Sequence, residues 1–277
     1  MGDLERDTAV ERTGEGRYRA VVSTDWALLG PVGGYLAGIA LRAAGAHSGL
    51  PRPASLSCQY LSRARFDAVD LRVECQRRSR SAAALTVLMT QRGTPVLSAQ
   101  VWAIADDIAG PEQRLSHPPD VPAPEQLAEI VLDPQVAQRT TAAATATGTF
   151  WRNLELRCVD DRSRPEEPRV HSWVRFRPRA RFADPWVDAC RDVISIDTGI
   201  LPAVAMALGG GGRFVAPSMD LYVAFHSPAA ADDYLLVTAR GTAAGAGLLS
   251  GTAQTRSPDG TLLASGAAQF LCRMLRA

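Results

Sequence analysis

Apolar positions along the chain fall into two series that echo each other. In the first, strand-length runs read Pro53-Ala-Ser-Leu-Ser-Cys-Gln-Tyr-Leu-Ser-Arg, Asp70-Leu-Arg-Val-Glu-Cys, Ala83-Ala-Leu-Thr-Val-Leu-Met-Thr and Gly93-Thr-Pro-Val-Leu-Ser-Ala-Gln. In the second they read Ala216-Pro-Ser-Met-Asp-Leu-Tyr-Val-Ala-Phe-His, Tyr234-Leu-Leu-Val-Thr-Ala-Arg, Leu248-Leu-Ser-Gly-Thr-Ala-Gln and Gly260-Thr-Leu-Leu-Ala-Ser-Gly-Ala-Ala-Gln. Short runs rich in apolar residues and bounded by turn residues predict strands. Ser257-Pro-Asp-Gly and Gln91-Arg-Gly-Thr sit at equivalent places and predict hairpin turns. Each half therefore ends in an antiparallel meander.

A helical stretch precedes each meander. Gly33-Gly-Tyr-Leu-Ala-Gly-Ile-Ala-Leu-Arg-Ala-Ala-Gly-Ala is apolar nearly all round, which predicts a buried helix rather than a surface one. Its counterpart is Asp184-Pro-Trp-Val-Asp-Ala-Cys-Arg-Asp-Val-Ile-Ser-Ile-Asp197, where Asp followed by Pro supplies a helix start. The expected division is an N-terminal repeat over residues 1–108, a linker over 109–146 and a C-terminal repeat over 147–277. The linker is rich in Pro, ends in an Ala/Thr tract at 140–147, and should hold one short helix near 124–132. Gly209-Gly-Gly-Gly212 reads as a flexible loop; with no Lys-Ser/Thr behind it, a phosphate cradle is a weak reading. A single curled sheet leaves an edge and a face open, and fusing two copies closes the gap.

Composition narrows the functional classes. With 277 residues, 46% of them hydrophobic, the chain can bury a large core. A net charge of +1 gives no field for nucleic acid. No apolar run approaches the roughly 20 residues of a membrane helix, and the charged opening Met1-Gly-Asp-Leu-Glu-Arg-Asp lacks a signal core, so a cytoplasmic location is expected. Every basic residue is Arg, which alongside abundant Ala looks like coding bias and weakens arginine counts as a functional signal. The five cysteines are scattered without a CxxC, so reduced thiols are expected. His47, His117, His171 and His226 show no metal-ligand spacing. There is no Gly-x-Ser-x-Gly elbow and no dinucleotide fingerprint, and no cofactor is expected.

At this point the chain resembles the thioesterase II type of acyl-CoA thioesterases, relatives of which carry two hot-dog repeats, over about residues 16–275. The resemblance is carried by Gly30-Pro-Val-Gly-Gly-Tyr-Leu-Ala at the first helix, and by the segment Ser55–Ser62 with Gln76-Arg-Arg-Ser-Arg-Ser. In the second half it is carried by Asp197-Thr-Gly-Ile-Leu-Pro, by Ser218-Met-Asp-Leu-Tyr-Val-Ala-Phe-His-Ser-Pro, and by a final strand ending in Gln. It implies an α+β double hot-dog, two antiparallel sheets each wrapping a long helix, fused in one chain. It also implies an acyl-CoA substrate, hydrolysis to free acid and coenzyme A, and a catalytic set of Asp197, Ser218 and Gln269 around a water. Gln269 falls one residue later than in the family pattern. A one-residue slip reverses a strand side chain's face, so a bulge at Gly266 is expected to restore it.

The chemistry fits those residue types. Attack by water needs a carboxylate to take a proton, neutral groups to aim the water, and N–H donors for the oxyanion. Asp197 can be the base, Ser218 and Gln269 can orient the water, and the helix start at Gly33-Gly34 can offer N–H groups. Arg77, Arg78 and Arg80 can meet coenzyme A phosphates, with Arg78 and Arg80 the chosen candidates. Each has a plainer reading. Asp197 could cap a helix beginning at Leu201-Pro202, Ser218 and Gln269 could be ordinary strand residues, Gly33-Gly34 could serve close packing, and the arginines could form a solvated edge. His226, between Phe225 and Ser227-Pro228, reads as structural. Two rival functions stand beside hydrolysis: an enoyl-thioester hydratase, which wants a His that neither helix carries, and a non-catalytic acyl-CoA-binding protein. A homo-oligomer is expected, because exposed sheet faces tend to pair.

Overall fold

A computed structural model of the chain describes residues 1–111, 113, 115–130, 148–159, 169–208, 214–227 and 232–274. The Gly209–Gly212 loop and the Ala/Thr tract at 140–147 lie outside the described residues.

The N-terminal half runs through a short helix α1 (Leu4–Asp7), strands β1 (Glu11–Gly14) and β2 (Arg17–Val21), the long helix α2 (Gly33–Ser48), and strands β3 (Arg52–Tyr60), β4 (Ala68–Arg78), β5 (Ala82–Gln91) and β6 (Thr94–Ile104). The C-terminal half repeats the order with β7 (Leu154–Cys158), β8 (Arg169–Phe176), the long helix α3 (Pro185–Ala207), β10 (Ser218–Phe225), β11 (Tyr234–Gly245), β12 (Leu248–Arg256) and β13 (Leu262–Leu271). A two-stranded ladder joins β9 (Phe214–Val215) to β14 (Arg273–Met274). The strands β1, β2, β7 and β8 add to the meanders read from sequence.

Among the described residues one sheet of 12 strands has the order β1-β2-β4-β5-β6-β3-β10-β13-β12-β11-β8-β7, and its pairings are antiparallel. The two halves meet where β3 pairs β10, from Gln59 opposite Asp220 to Ser55 opposite Ala224. That junction removes the inner edge of each half and gives the continuous curled sheet of a double hot-dog, with both long helices on one face. Turn chemistry sets the registers. Arg92 and Gly93 take φ of 51° and 80°, and Ala246 and Gly247 take 51° and 78°, the paired left-handed residues of two-residue hairpins.

Inward-pointing strand residues alternate as the pleat demands: Leu56 and Cys58 on β3, Leu85, Val87 and Met89 on β5, Leu221 and Val223 on β10, and Ala264, Ala268 and Phe270 on β13 are all buried. Against them lie α2 and α3, which also pack on each other at small residues. A Cβ on Gly38 would touch Cys190 at 3.4 Å. Because α2 is buried on nearly every side, its uniform apolarity is explained.

Two expectations are corrected. Among the described residues the helix near 124–132 reduces to a single 3-10 turn at Pro124–Gln126, and the Ile130 N–H donates to Leu156 O at 2.7 Å; residues 131 and 132 lie outside the described residues. The second helix begins where expected, with Asp184 accepting from the Trp186 N–H, but it does not stop at Asp197. It continues through Pro202 to Ala207. Asp197 therefore caps no helix starting at Leu201-Pro202. Burial of Ile200, Ala203 and Val204 outweighs the hydrogen bond that Pro202 cannot donate.

Candidate active site

Four elements converge at the seam between the halves: the first turn of α2, the end of β3, the middle of α3 and the start of β10. Val32, at the N-cap of α2, offers no side-chain acceptor to the free N–H groups of the first turn. Asp197 supplies one from the other helix. Its Oδ2 accepts from the Gly34 N–H at 2.7 Å, and its Oδ1 accepts from the Ser218 hydroxyl at 3.4 Å. The close approach needs glycine. A Cβ on Gly34 would lie 2.8 Å from Ile194 Cα and 3.0 Å from Asp197 Cβ. The helix-packing reading of Gly34 is thus realised, and its N–H, expected for an oxyanion, is engaged by the carboxylate.

Asp197 is buried, at 7% exposure. Burial pushes its pKa up to about 6, against the smaller downward pulls of the Gly34 N–H and the Ser218 hydroxyl. No cation among the described residues bears on it. The positive end of α2 holds the charge instead. A carboxylate poised near neutrality, hydrogen-bonded but not ion-paired, is suited to accept a proton.

Ser218 reaches Asp197 because of a bulge. On β10, Ser218 pairs Phe270 but Asp220 pairs Gln269, so Met219 is the extra residue. Without it, Ser218 would share the outward parity of Asp220 and Tyr222. With it, the hydroxyl turns in toward α3.

The same ladders correct the expectation for Gln269. No bulge occurs at Gly266: β13 pairs regularly with β10 from Ala264 to Gln269 and with β12 from Ala264 to Leu271. A Cβ on Gly266 would point at Ile196 of α3, 2.9 Å from its Cγ2, so Gly266, Ala268 and Phe270 face in. Gln269 consequently faces out, with its backbone N–H donating to Asp220 Oδ1 at 3.0 Å. The structure does not bring Gln269 to Asp197; the inward neighbour on β13 is Ala268.

The arginine candidates lie elsewhere. Arg78 donates through Nη1 to Ser48 O at 2.5 Å and through Nη2 to His47 O, closing the C-terminal end of α2. At 1.5 Å per residue, that end is roughly 22 Å from Gly33. Arg80 is exposed and sits 4.0 Å from Asp107. His226 bonds Ser265 at 2.8 Å on the outer face and His171 bonds Thr238 at 3.0 Å, so neither serves Asp197.

One residue at the seam escaped the sequence reading. Tyr60 closes β3 on the inward parity of Leu56 and Cys58, and its hydroxyl is buried beside the Cys58 thiol without a well-formed hydrogen bond. A Cβ on Gly33 would lie 3.0 Å from that hydroxyl and 3.3 Å from Asp197 Oδ1. The parity was legible from alternation; the approach of β3 to α3 was not. Beside it, burial pushes the Cys58 thiol up to about 12, so it is no thiolate nucleophile.

Comparisons with known proteins follow the same outline. The family model described as the acyl-CoA thioesterase N-terminal domain matches residues 22–104, and that described as the acyl-CoA thioesterase C-terminal domain matches residues 124–271. No curated protein matches the sequence. Among solved structures, the chain is similar to an acyl-CoA thioesterase II, TesB2, from Mycobacterium marinum, with 20% identity, a TM-score of 0.80, and 99% of each chain covered. It is similar to the tesB protein of Mycobacterium avium subspecies paratuberculosis, with 20% identity, a TM-score of 0.77, and 98% of each chain covered. A conserved protein with a hot-dog fold from Alicyclobacillus acidocaldarius gives 20% identity and a TM-score of 0.80, covering 99% of this chain and 98% of that one. At such identities the structural likeness establishes the fold alone.

Proposed function

Because the chain belongs to the acyl-CoA thioesterase family and carries both of its domains, we propose that it hydrolyses an acyl-CoA thioester with a water activated by Asp197 and steadied by Ser218. The observation that carries this reading is the carboxylate itself: buried, held by the Gly34 N–H and the Ser218 hydroxyl, and free of any ion pair among the described residues.

The water gives a proton to Asp197 while its oxygen bonds to the thioester carbonyl carbon. The carbonyl electron pair moves onto oxygen as an oxyanion, at the positive end of α2. The oxyanion then collapses, the carbon–sulfur bond breaks, and the leaving thiolate takes the proton from Asp197. Ser218, fixed by the Met219 bulge, holds Oδ1 so that one lone pair of the carboxylate stays aimed at the water. The hydratase alternative is the less favoured one. Contrary to the expectation that neither helix carries a His, α2 extends far enough to include His47, but that residue stands in the last turn, at the end opposite Gly33, and His226 and His171 are bonded away from the site.

Release of free thiol from a panel of acyl-CoA chain lengths, measured for the wild type and Asp197→Asn, tests the proposal. Thiol release that depends on Asp197 supports it. Binding of acyl-CoA with no thiol release at any chain length would establish the non-catalytic alternative. We further propose a homo-oligomer, since Leu88, Trp102, Met219 and Tyr222 are exposed on strands of the outer sheet face.

A further inference from the structure

We infer that the Tyr60 hydroxyl is the group that holds the nucleophilic water against Asp197, from a gap that Gly33 keeps open. The inference rests on the reading of Asp197 as the base and adds a residue to it.

Three observations meet there. First, the catalytic water needs a neutral donor, and Gln269 cannot be that donor because the regular β13 ladder turns it outward. Ser218 is committed to Asp197 Oδ1, and the Gly34 N–H to Oδ2. Second, the Tyr60 hydroxyl is buried with the Cys58 thiol as its polar neighbour and makes no well-formed hydrogen bond. Buried polar groups are nearly always satisfied, and an exception calls for a partner that arrives later, such as water or substrate. Third, the hydroxyl and the carboxylate face each other across Gly33. The place where a Gly33 Cβ would stand is 3.0 Å from the Tyr60 oxygen and 3.3 Å from Asp197 Oδ1. The two oxygens are not bonded to each other, and a separation of this order is one that a single water spans.

The electronic fit is consistent. Burial raises the Tyr60 phenol well above its ordinary value, and the nearby Cys58 thiol and Asp197 carboxylate push in the same direction. Tyr60 therefore stays a neutral O–H donor wherever Asp197 is ionised. In the gap, the water accepts from Tyr60 through one lone pair and donates a proton to Asp197. Its second lone pair is left for the carbonyl carbon. A residue at β3 thus brings the N-terminal half into a reaction whose base lies in the C-terminal half. Tyr60 is only partly buried as a whole, so the gap lies at the margin of the core rather than sealed within it.

The test compares Tyr60→Phe and Asp197→Asn with the wild type as full-length purified chains, by thiol release from an acyl-CoA and by thermal melting. Tyr60→Phe removes one oxygen whose only polar protein neighbour is the weakly bonding Cys58 thiol, so it should melt close to the wild type. Its kcat should nevertheless fall about tenfold or more with KM within about twofold, the pattern of an interaction used in the transition state. A structural role predicts the reverse, a lower melting temperature at unchanged kcat, and that result would overturn the assignment. An Asp197→Asn variant without activity beside a Tyr60→Phe variant at the wild-type rate overturns Tyr60 alone. An Asp197→Asn variant at the wild-type rate overturns the base and Tyr60 together.

Discussion

Replacing Asp197 by Asn should cost activity and add stability, and the two effects share one cause. Burial raises the Asp197 pKa from 3.8 to about 6. At about 1.36 kcal/mol per tenfold change in proton affinity, this means that ionised Asp197 destabilises the fold by up to about 3 kcal/mol. The sign follows from linkage. A carboxyl with a raised folded pKa binds its proton more tightly when folded, so its stabilising contribution is present below the unfolded pKa. It is lost as pH rises from about 4 through about 6. Asn removes the charge but keeps both contacts, since its Oδ1 can accept from the Gly34 N–H and its amide can donate to the Ser218 oxygen. At pH 8 the variant should therefore melt higher than the wild type, by up to about 6–12 °C on the scaling for larger domains, with the gap closing toward zero near pH 4. Asp188 and Asp192 on α3 are also raised by burial, to about 6 and about 7. They tilt both proteins alike and cancel in the comparison.

Over the same range hydrolysis should move the other way. A general base supplies about 10²–10⁴-fold, so thiol release should fall at least about 100-fold in Asp197→Asn. In the wild type kcat/KM should rise with pH through about 6, as the base ionises; the variant should lack that limb. Calorimetry at pH 4 and pH 8, with thiol release across the same range, measures both. A melting difference that is equal at the two pH values would refute the assignment of the raised pKa to Asp197, and a near wild-type rate in the variant would refute its role as base.

Three further outcomes follow from the geometry. Gln269→Ala should leave thiol release within about twofold of the wild type, because Gln269 faces away from α3; a loss comparable to that of Asp197→Asn would mean that β13 is misregistered here. Gly34→Ala should lower the melting temperature and the rate together, since its Cβ meets Ile194 Cα at 2.8 Å and overpacking of this kind costs about 1–3 kcal/mol. Light scattering should show a dimer or larger species at micromolar concentration, and Trp102→Glu should shift it toward monomer; a monomeric wild type ends that proposal.

Much of the fold was legible because local chemistry and global pairing agree. Gln91-Arg-Gly-Thr and Ser257-Pro-Asp-Gly each mark a meander turn, and Asp184-Pro185 starts α3. The outermost strand β1 was not legible. Glu11–Gly14 is short and mostly exposed, and a strand with neither face in the core leaves no period in its sequence; β2 does alternate, with Tyr18 and Ala20 buried, but its 5 residues are too short a run to stand out. The extent of α3 was hidden by Pro202, whose local cost is overruled only by packing that the sequence does not display. The site divides along the same line. Asp197 and Ser218 came from the family resemblance, and the fold brings them together. The bulge was sought at Gly266 because glycine tolerates one, but a bulge belongs to a pair of strands, and the pairing set it at Met219. Tyr60 has an inward parity that alternation shows, whereas its nearness to Asp197 depends on β3 and β10 meeting across the repeat.

The repeat also explains why the site occurs at one end of the helix pair. Gly38 and Cys190 are each the sixth residue of their helices and face each other, so an approximate twofold passes between them. Under that twofold, the contact of Gly34, second in α2, with Asp197, thirteenth in α3, has a mate in Trp186, second in α3, and Gly45, thirteenth in α2. There the roles are exchanged for packing. A Cβ on Gly45 would lie 2.5 Å from the Trp186 ring, and the indole N–H donates to Leu50 O at 3.0 Å. No residue of α2 is acidic, so that end has no counterpart of the Asp197 carboxylate, and the indole takes its place. One end of the pair therefore holds the carboxylate that the chemistry requires, and the other is closed by an indole that buries a large apolar surface.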